Sequence, residues 1–165
     1  MSWIWSFNFL TVAILGVAAL RWGAGPERIC AAALLAMNVA DRVYHALVGR
    51  GTIYGSVDIG HLVIDMLVAA VFIGVALKAN RVYPLWLSAF QLVSVVSHFA
   101  REESRKIAEL AYFLMNYVPY YALLLILAGG IWRHAVRTRR RGPYRSWRTS
   151  SNPSPATART TPPAG

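Results

Sequence analysis

The run from Val57 to Leu77 is long enough and apolar enough to cross a bilayer, yet Asp58, His61 and Asp65 stand in its first half. About 20 predominantly apolar residues suffice to span a hydrocarbon core. The three ionisable residues are spaced i, i+3, i+7, which on a helix confines them to an arc of roughly 60°. Carboxylates and an imidazole in such surroundings are costly unless neighbouring segments supply partners. The chain must therefore fold as a helical bundle with a polar stripe turned inward.

Four further apolar runs can provide that bundle. They cover about residues 3–20, 29–48, 82–100 and 107–132, and 57–77 is the third in order. The sequence is 56% hydrophobic and only 15% charged, and its charges are gathered into short stretches, as in proteins that confine charge to membrane-flanking loops. The fold class expected is all-α, an integral membrane bundle of five transmembrane helices over residues 1–135. A cleaved leader is the competing reading of the first run, but no Lys or Arg precedes it and no small-x-small site follows. Trp3, Trp5 and Trp22 suit interfacial anchors instead.

Turn signals separate the runs. Gly23–Pro26 closes the first; Pro26 and Glu27 then sit in the first turn of the second, where a missing N–H and a negative charge are tolerated. Gly49–Ser56 is a glycine-rich connection, Pro84 opens the fourth run, and Pro119 predicts a kink in the fifth. Gly129-Gly130 allows close packing or local bending. The single Cys30 excludes an intrachain disulfide and reads as a small apolar residue.

Residues 136–165 have another character, with five of the eight prolines in 142–165 and many Ser, Thr and Arg. A disordered basic tail is expected, with His134 solvated at its start. The net charge of +10 suggests nucleic acid, but eight of the 17 Lys/Arg lie in 133–159, directly after the last apolar run. That placement points to anionic lipid headgroups, with Arg137, Arg139, Arg140 and Arg141 as the contacts, and to no nucleic-acid partner. Counting Lys and Arg also orients the chain. With five spans and the tail inside, twelve fall on the inner side and five outside; with the second run not crossing, the split is ten to seven. Basic residues favour the cytoplasmic side, so the N-terminus is expected outside and the C-terminus inside.

In that topology the polar residues fall into four stripes of one spacing: Asn38, Asp41 and His45; Asp58, His61 and Asp65; Gln91, Ser94 and His98; Glu109, Tyr112 and Asn116. All lie in the outer halves of their helices, in three layers about one turn (~5 Å) apart. Asp41 and His61 share the middle layer, Asp65, Gln91 and Asn116 the deepest, and His45, Asp58 and His98 the outermost. The first run has no stripe and is expected to pack outside helices two to five. The pocket residues are thus Asp41, His45, Asp58, His61, Asp65, Gln91, His98 and Asn116, open to the periplasm and able to take a small ligand or ion.

Several chemistries remain open for them. Asp41 with His45, and His61 with Asp65, are i, i+4 carboxylate–imidazole pairs, a plausible four-ligand set for zinc, manganese or iron. Haem held by His45 and His98 is a second possibility. A proton relay lacks polar residues in the inner halves. Hydrolysis lacks a G-x-S-x-G elbow to fix Ser94 or Ser97 as a nucleophile, so a metal-dependent enzyme is the minority reading. A purely structural interhelical network is the plainest alternative, and Arg42 or Arg101 could neutralise the carboxylates.

Pro26-Glu27-Arg28, Asp41-x-x-Tyr44-His45, Val57-Asp58-x-Gly60-His61-x-x-Ile64-Asp65, Ala79-Asn80-Arg81-Val82-x-Pro84-Leu85-Trp86 and Gln91-Leu92 together resemble a group of small uncharacterised multi-pass inner-membrane proteins of bacteria. The resemblance covers about residues 15–132. It implies the multi-pass fold and a bacterial inner-membrane location; the group has no assigned activity, so it implies no functional residues.

Overall fold

The computed structural model describes residues 2–48, 59–103 and 109–148. Among them the chain forms five α-helices and no strand: α1 (Ser2–Trp22), α2 (Gly25–Val48), α3 (Ile59–Lys78), α4 (Tyr83–Glu103) and α5 (Glu109–Arg141). Two of these, α1 over Trp5–Trp22 and α3 over Ile59–Lys78, are long and apolar enough to cross a membrane. The polar stripes of α2 and α4 lower the apolarity of those two helices.

The helix ends follow local chemistry. The Glu27 carboxylate reaches back one turn to accept the Ala24 N–H at 3.0 Å, one half of a capping box, and Arg28 N–H donates to Ala24 O as the first helical bond. Pro26 and Pro84 both lie in first turns, where no partner is needed for the missing N–H. Pro119 lies buried inside an unbroken α5. That helix closes on Gly142, whose φ of 78° is the left-handed conformation glycine adopts freely. Its N–H caps Thr138 O at 3.0 Å.

Each helix packs on its neighbours in sequence, α5 returns to α1, and α2 also touches α5. Helices α2 to α5 therefore close on themselves, with α1 seated against α2 and α5. The first helix packs where expected, on the outside of helices two to five, and contributes Val12 and Ala19 to the core. That core occupies one half of the bundle, where Leu34, Phe72, Leu87, Leu123 and Leu127 interlock with Ala31, Val75, Ala79 and Ile131. Fully buried small residues, Ala19, Cys30 and Ala79, let the backbones approach closely. Away from the core the surface is apolar: Leu47, Leu67, Leu77, Leu92, Val96, Leu125 and Trp132 are all exposed, Leu125 to 73%.

The tail departs from expectation. Helix α5 continues nine residues past the span anticipated at 107–132, and residues 142–148 fold back onto the bundle instead of being disordered from 136. Residues 149–165 lie outside the described residues.

Candidate functional site

Two polar centres flank α3 in the half of the bundle opposite the apolar core. On the α2 side, Asp41 and His45 lie one turn apart, and His61 faces them from α3. The His61 Nε2 donates to Asp41 Oδ1 at 2.6 Å, and His45 Nε2 lies 3.6 Å from the same oxygen. The two imidazole rings are 5.0 Å apart. Aromatic neighbours fix their planes, with Tyr44 edge-on to His61 at 4.9 Å and Trp5 perpendicular to His45 at 5.8 Å. All three polar side chains are partly open to solvent. The Tyr44 ring packs into the space a Cβ at position 60 would fill, so Gly60 is what lets α2 and α3 close over this centre. Its absence from the expected site residues is understandable, since a glycine has no chemistry of its own to detect.

On the α4 side, Asp65 is gripped at both oxygens. Gln91 Nε2 donates to Oδ1 at 2.9 Å and His98 Nε2 to Oδ2 at 2.8 Å. Gln91 is fully buried and His98 nearly so. The shared depth expected for Asp65 and Gln91 holds, as does that for Asp41 and His61. His98, expected two turns shallower, reaches the same carboxylate. Helical side chains lean toward their own N-termini, so on antiparallel α3 and α4 Asp65 and His98 lean toward each other.

The expected residues thus divide instead of forming one four-walled site. Asp41, His45 and His61 are brought together, with potential ligand atoms all within 4.8 Å of one another. Asp65, anticipated as a fourth metal ligand, belongs with Gln91 and His98. The haem pair is likewise separated, since His45 turns to Asp41 and His98 to Asp65. Asn38 Nδ2 donates back to Leu34 O within its own helix at 2.9 Å, and Asn38 Oδ1 accepts from the Tyr120 hydroxyl at 3.2 Å, tying α2 to α5. Ser94 and Ser97 donate to carbonyls of α4, at Phe90 and Ser94. Arg42 stacks over Phe9 at 5.9 Å. Asp58 lies outside the described residues, as do the side chains of Arg101, Glu109, Tyr112 and Asn116.

A third polar cluster, at the other end of the bundle, had not been anticipated. Glu27 on α2 is fully buried and paired with Arg81 from the α3–α4 connection, itself almost buried. Arg81 also donates to Ser146 Oγ at 3.2 Å. Its guanidinium lies 5.2 Å from the Tyr144 ring, which Arg137 covers from 4.0 Å. Backbone bonds complete the attachment: Asn80 N–H to Ser146 O at 3.1 Å and Arg148 N–H to Lys78 O at 2.8 Å. Trp147 lies against Gly25. One signal was available: Glu27 is the lone acidic residue among the twelve basic residues assigned to the inner side.

His134, expected to be solvated, is half-buried and 3.0 Å from the Tyr144 hydroxyl. Burial, then the charge of Arg81, holds its pKa below the usual imidazole value, with Arg137 adding to this and Glu27 opposing. The folded state therefore prefers the neutral ring, which accepts from the Tyr144 hydroxyl. Below about pH 6.5 the unfolded or undocked chain binds a proton that the docked one resists, so docking weakens as pH falls. The protection factors of the Asn80 and Arg148 amides, which divide out the intrinsic exchange chemistry, are expected to fall between pH 7.5 and 5.5 and to lose that pH dependence in His134→Gln. Equal pH dependence in wild type and variant would refute this.

The chain matches no family model, no curated protein and no solved structure.

Proposed function

We propose that this chain is a multi-pass protein of the bacterial inner membrane, crossed by all five helices with the N-terminus outside, and that its outer Asp/His pocket binds a small ligand or ion. The observation that carries the reading is the inversion of polarity. Asp41 and Asp65 are each met by an imidazole from a neighbouring helix, while Leu, Val, Ile and Trp cover the periphery. Exposed apolar surface on this scale exceeds the isolated patches of water-soluble monomers. The stripes that lower the apolarity of α2 and α4 are turned into the bundle, so those helices too offer lipid an apolar face.

The ends of the bundle support the orientation. Arg21, Arg28 and Lys78 lie at the helix ends where α5 emerges with Arg133, and Arg139, Arg140 and Arg141 extend beyond it, all exposed. Anionic headgroups attract such a cluster. Between that end and the pocket the described core is apolar, which favours a one-sided binding site over a translocation path. Within the pocket, the Asp65–Gln91–His98 centre, with both carboxylate oxygens engaged, acts as the interhelical cross-link, and Asp41, His45 and His61 hold the chemistry.

Cys30, the one cysteine, makes topology directly measurable. In a Cys30→Ala background, Ser94→Cys is expected to react with a charged, membrane-impermeant maleimide added to spheroplasts. Arg140→Cys should react only after lysis. The opposite pattern, or equal reaction of both in intact spheroplasts, would overturn the proposal.

A further inference from the structure

We infer that the α2–α3 centre is a divalent transition-metal site with zinc as its occupant, held by a carboxylate oxygen of Asp41 and by Nε2 of His45 and His61, with one coordination position open to solvent. The inference rests on the pocket reading and names its ion. Three ligand-bearing side chains from two helices converge, their ligand atoms within 4.8 Å of one another. In a tetrahedral site with bonds of about 2.0–2.1 Å, neighbouring ligand atoms stand roughly 3.3 Å apart. The separations from Asp41 Oδ1, 2.6 Å to His61 and 3.6 Å to His45, bracket that value. Small side-chain rotations bring both onto it without moving a helix.

The donor set selects the class of ion. Magnesium and calcium take oxygen ligands, whereas two imidazoles and a carboxylate suit zinc and its first-row neighbours. Three protein ligands with a fourth position open is the arrangement of reactive zinc sites, and structural ones are closed by four. His45, His61 and Asp41 remain 33%, 25% and 22% exposed at the side chain, so an ion can enter from solvent. Asp65 is not a ligand, because both its oxygens already accept hydrogen bonds from buried donors. Tyr44 and Trp5, edge-on to the two imidazoles, limit ring rotation and preorganise the pair.

The test uses tag-free full-length protein in detergent, stripped with chelator and titrated with zinc against a chromophoric competitor. One zinc per chain is expected, with a dissociation constant below about 1 µM, weakened at least about 100-fold in Asp41→Asn, His45→Ala and His61→Ala. His98→Ala and Asp65→Asn should stay within about threefold, because their centre is separate. Wild type that binds more weakly than about 10 µM, loss of the same size in His98→Ala, or binding unchanged in the three ligand variants would each overturn the assignment. Should His61→Ala fail to fold, His61→Cys loaded with cobalt serves instead. A thiolate charge-transfer band absent from wild type marks residue 61 as a ligand, and a cobalt complex lacking it refutes the site. External labelling of Ser94→Cys with no zinc bound would overturn the metal and leave the pocket reading standing.

Discussion

Replacing Arg81 with methionine is expected to cost about 3–5 kcal/mol, the range for leaving one member of a buried ion pair without its partner. Glu27 would be stranded at zero exposure, still accepting from the Ala24 N–H but without its cation, far from the water that weakens such effects at a surface. Glu27→Met should cost a similar amount, through the stranded guanidinium. The double variant Glu27→Met/Arg81→Met should recover most of the loss, because two apolar side chains of similar length fill the space without a charge. A residual deficit of about 1 kcal/mol is expected, since Arg81 also holds Ser146 and Tyr144. Reversible unfolding of the detergent-solubilised chain in a denaturing surfactant measures all three. A single-variant cost under about 1 kcal/mol, the value of exposed pairs, would show that the pair is not buried in solution.

That ion pair illustrates what was legible beforehand. The five helices were, because each apolar run is bounded by glycine, proline or a charged stop, and those signals act locally. Glu27 and Arg81 were not, because each already had a sufficient local explanation. Glu27 reads as the favourable charge of a first helical turn, and Arg81 as one of the cations ending α3. Glu27's standing as the lone acidic residue on the inner side marks it as needing a cation, but nothing in the sequence selects Arg81, 54 positions away and sharing no stripe, from the other eleven basic residues there. The tail shows the same limit from the other side. Its Pro, Ser and Arg content suggests disorder, yet its two aromatics, Tyr144 and Trp147, are the side chains that stack and pack when it docks. Reading those two against the average composition would have found the attachment.

The pocket was legible in depth and illegible in azimuth. Common spacing put Asp41 level with His61 and Asp65 level with Gln91, and both pairs are bonded. The same spacing joined His61 to Asp65 as one face of α3. Residues four apart differ by about 40° around a helix. When the stripe lies at the seam between two neighbours, that angle is enough to send one side chain to α2 and the other to α4. The partition of four expected metal ligands into two centres follows from this small rotation, which only packing reveals.

Asp65→Leu is the sharpest probe of that partition. The change removes the carboxylate that accepts from Gln91 Nε2 and His98 Nε2, both on buried side chains, orphaning His98 and leaving Gln91 its longer bond of 3.3 Å to the Asp65 backbone carbonyl. An orphaned buried donor costs about 1–3 kcal/mol and the lost Gln91 bond adds to it, so a loss of roughly 2–4 kcal/mol is expected, and α3 and α4 lose their side-chain cross-link. Asp65→Asn should cost less, under about 1.5 kcal/mol, because the amide keeps an oxygen for Gln91 and offers an N–H to a neutral His98. Adding His98→Leu to Asp65→Leu should restore part of the stability, since removing both partners leaves fewer unpaired groups than removing one. Gln91 will limit that recovery, for its Oε1 already has no hydrogen-bond partner among the described residues. The same unfolding measurement decides the matter. If Asp65→Leu is as stable as wild type, Asp65 does not serve as the cross-link, and its carboxylate is free for the role that Asp41 has been given.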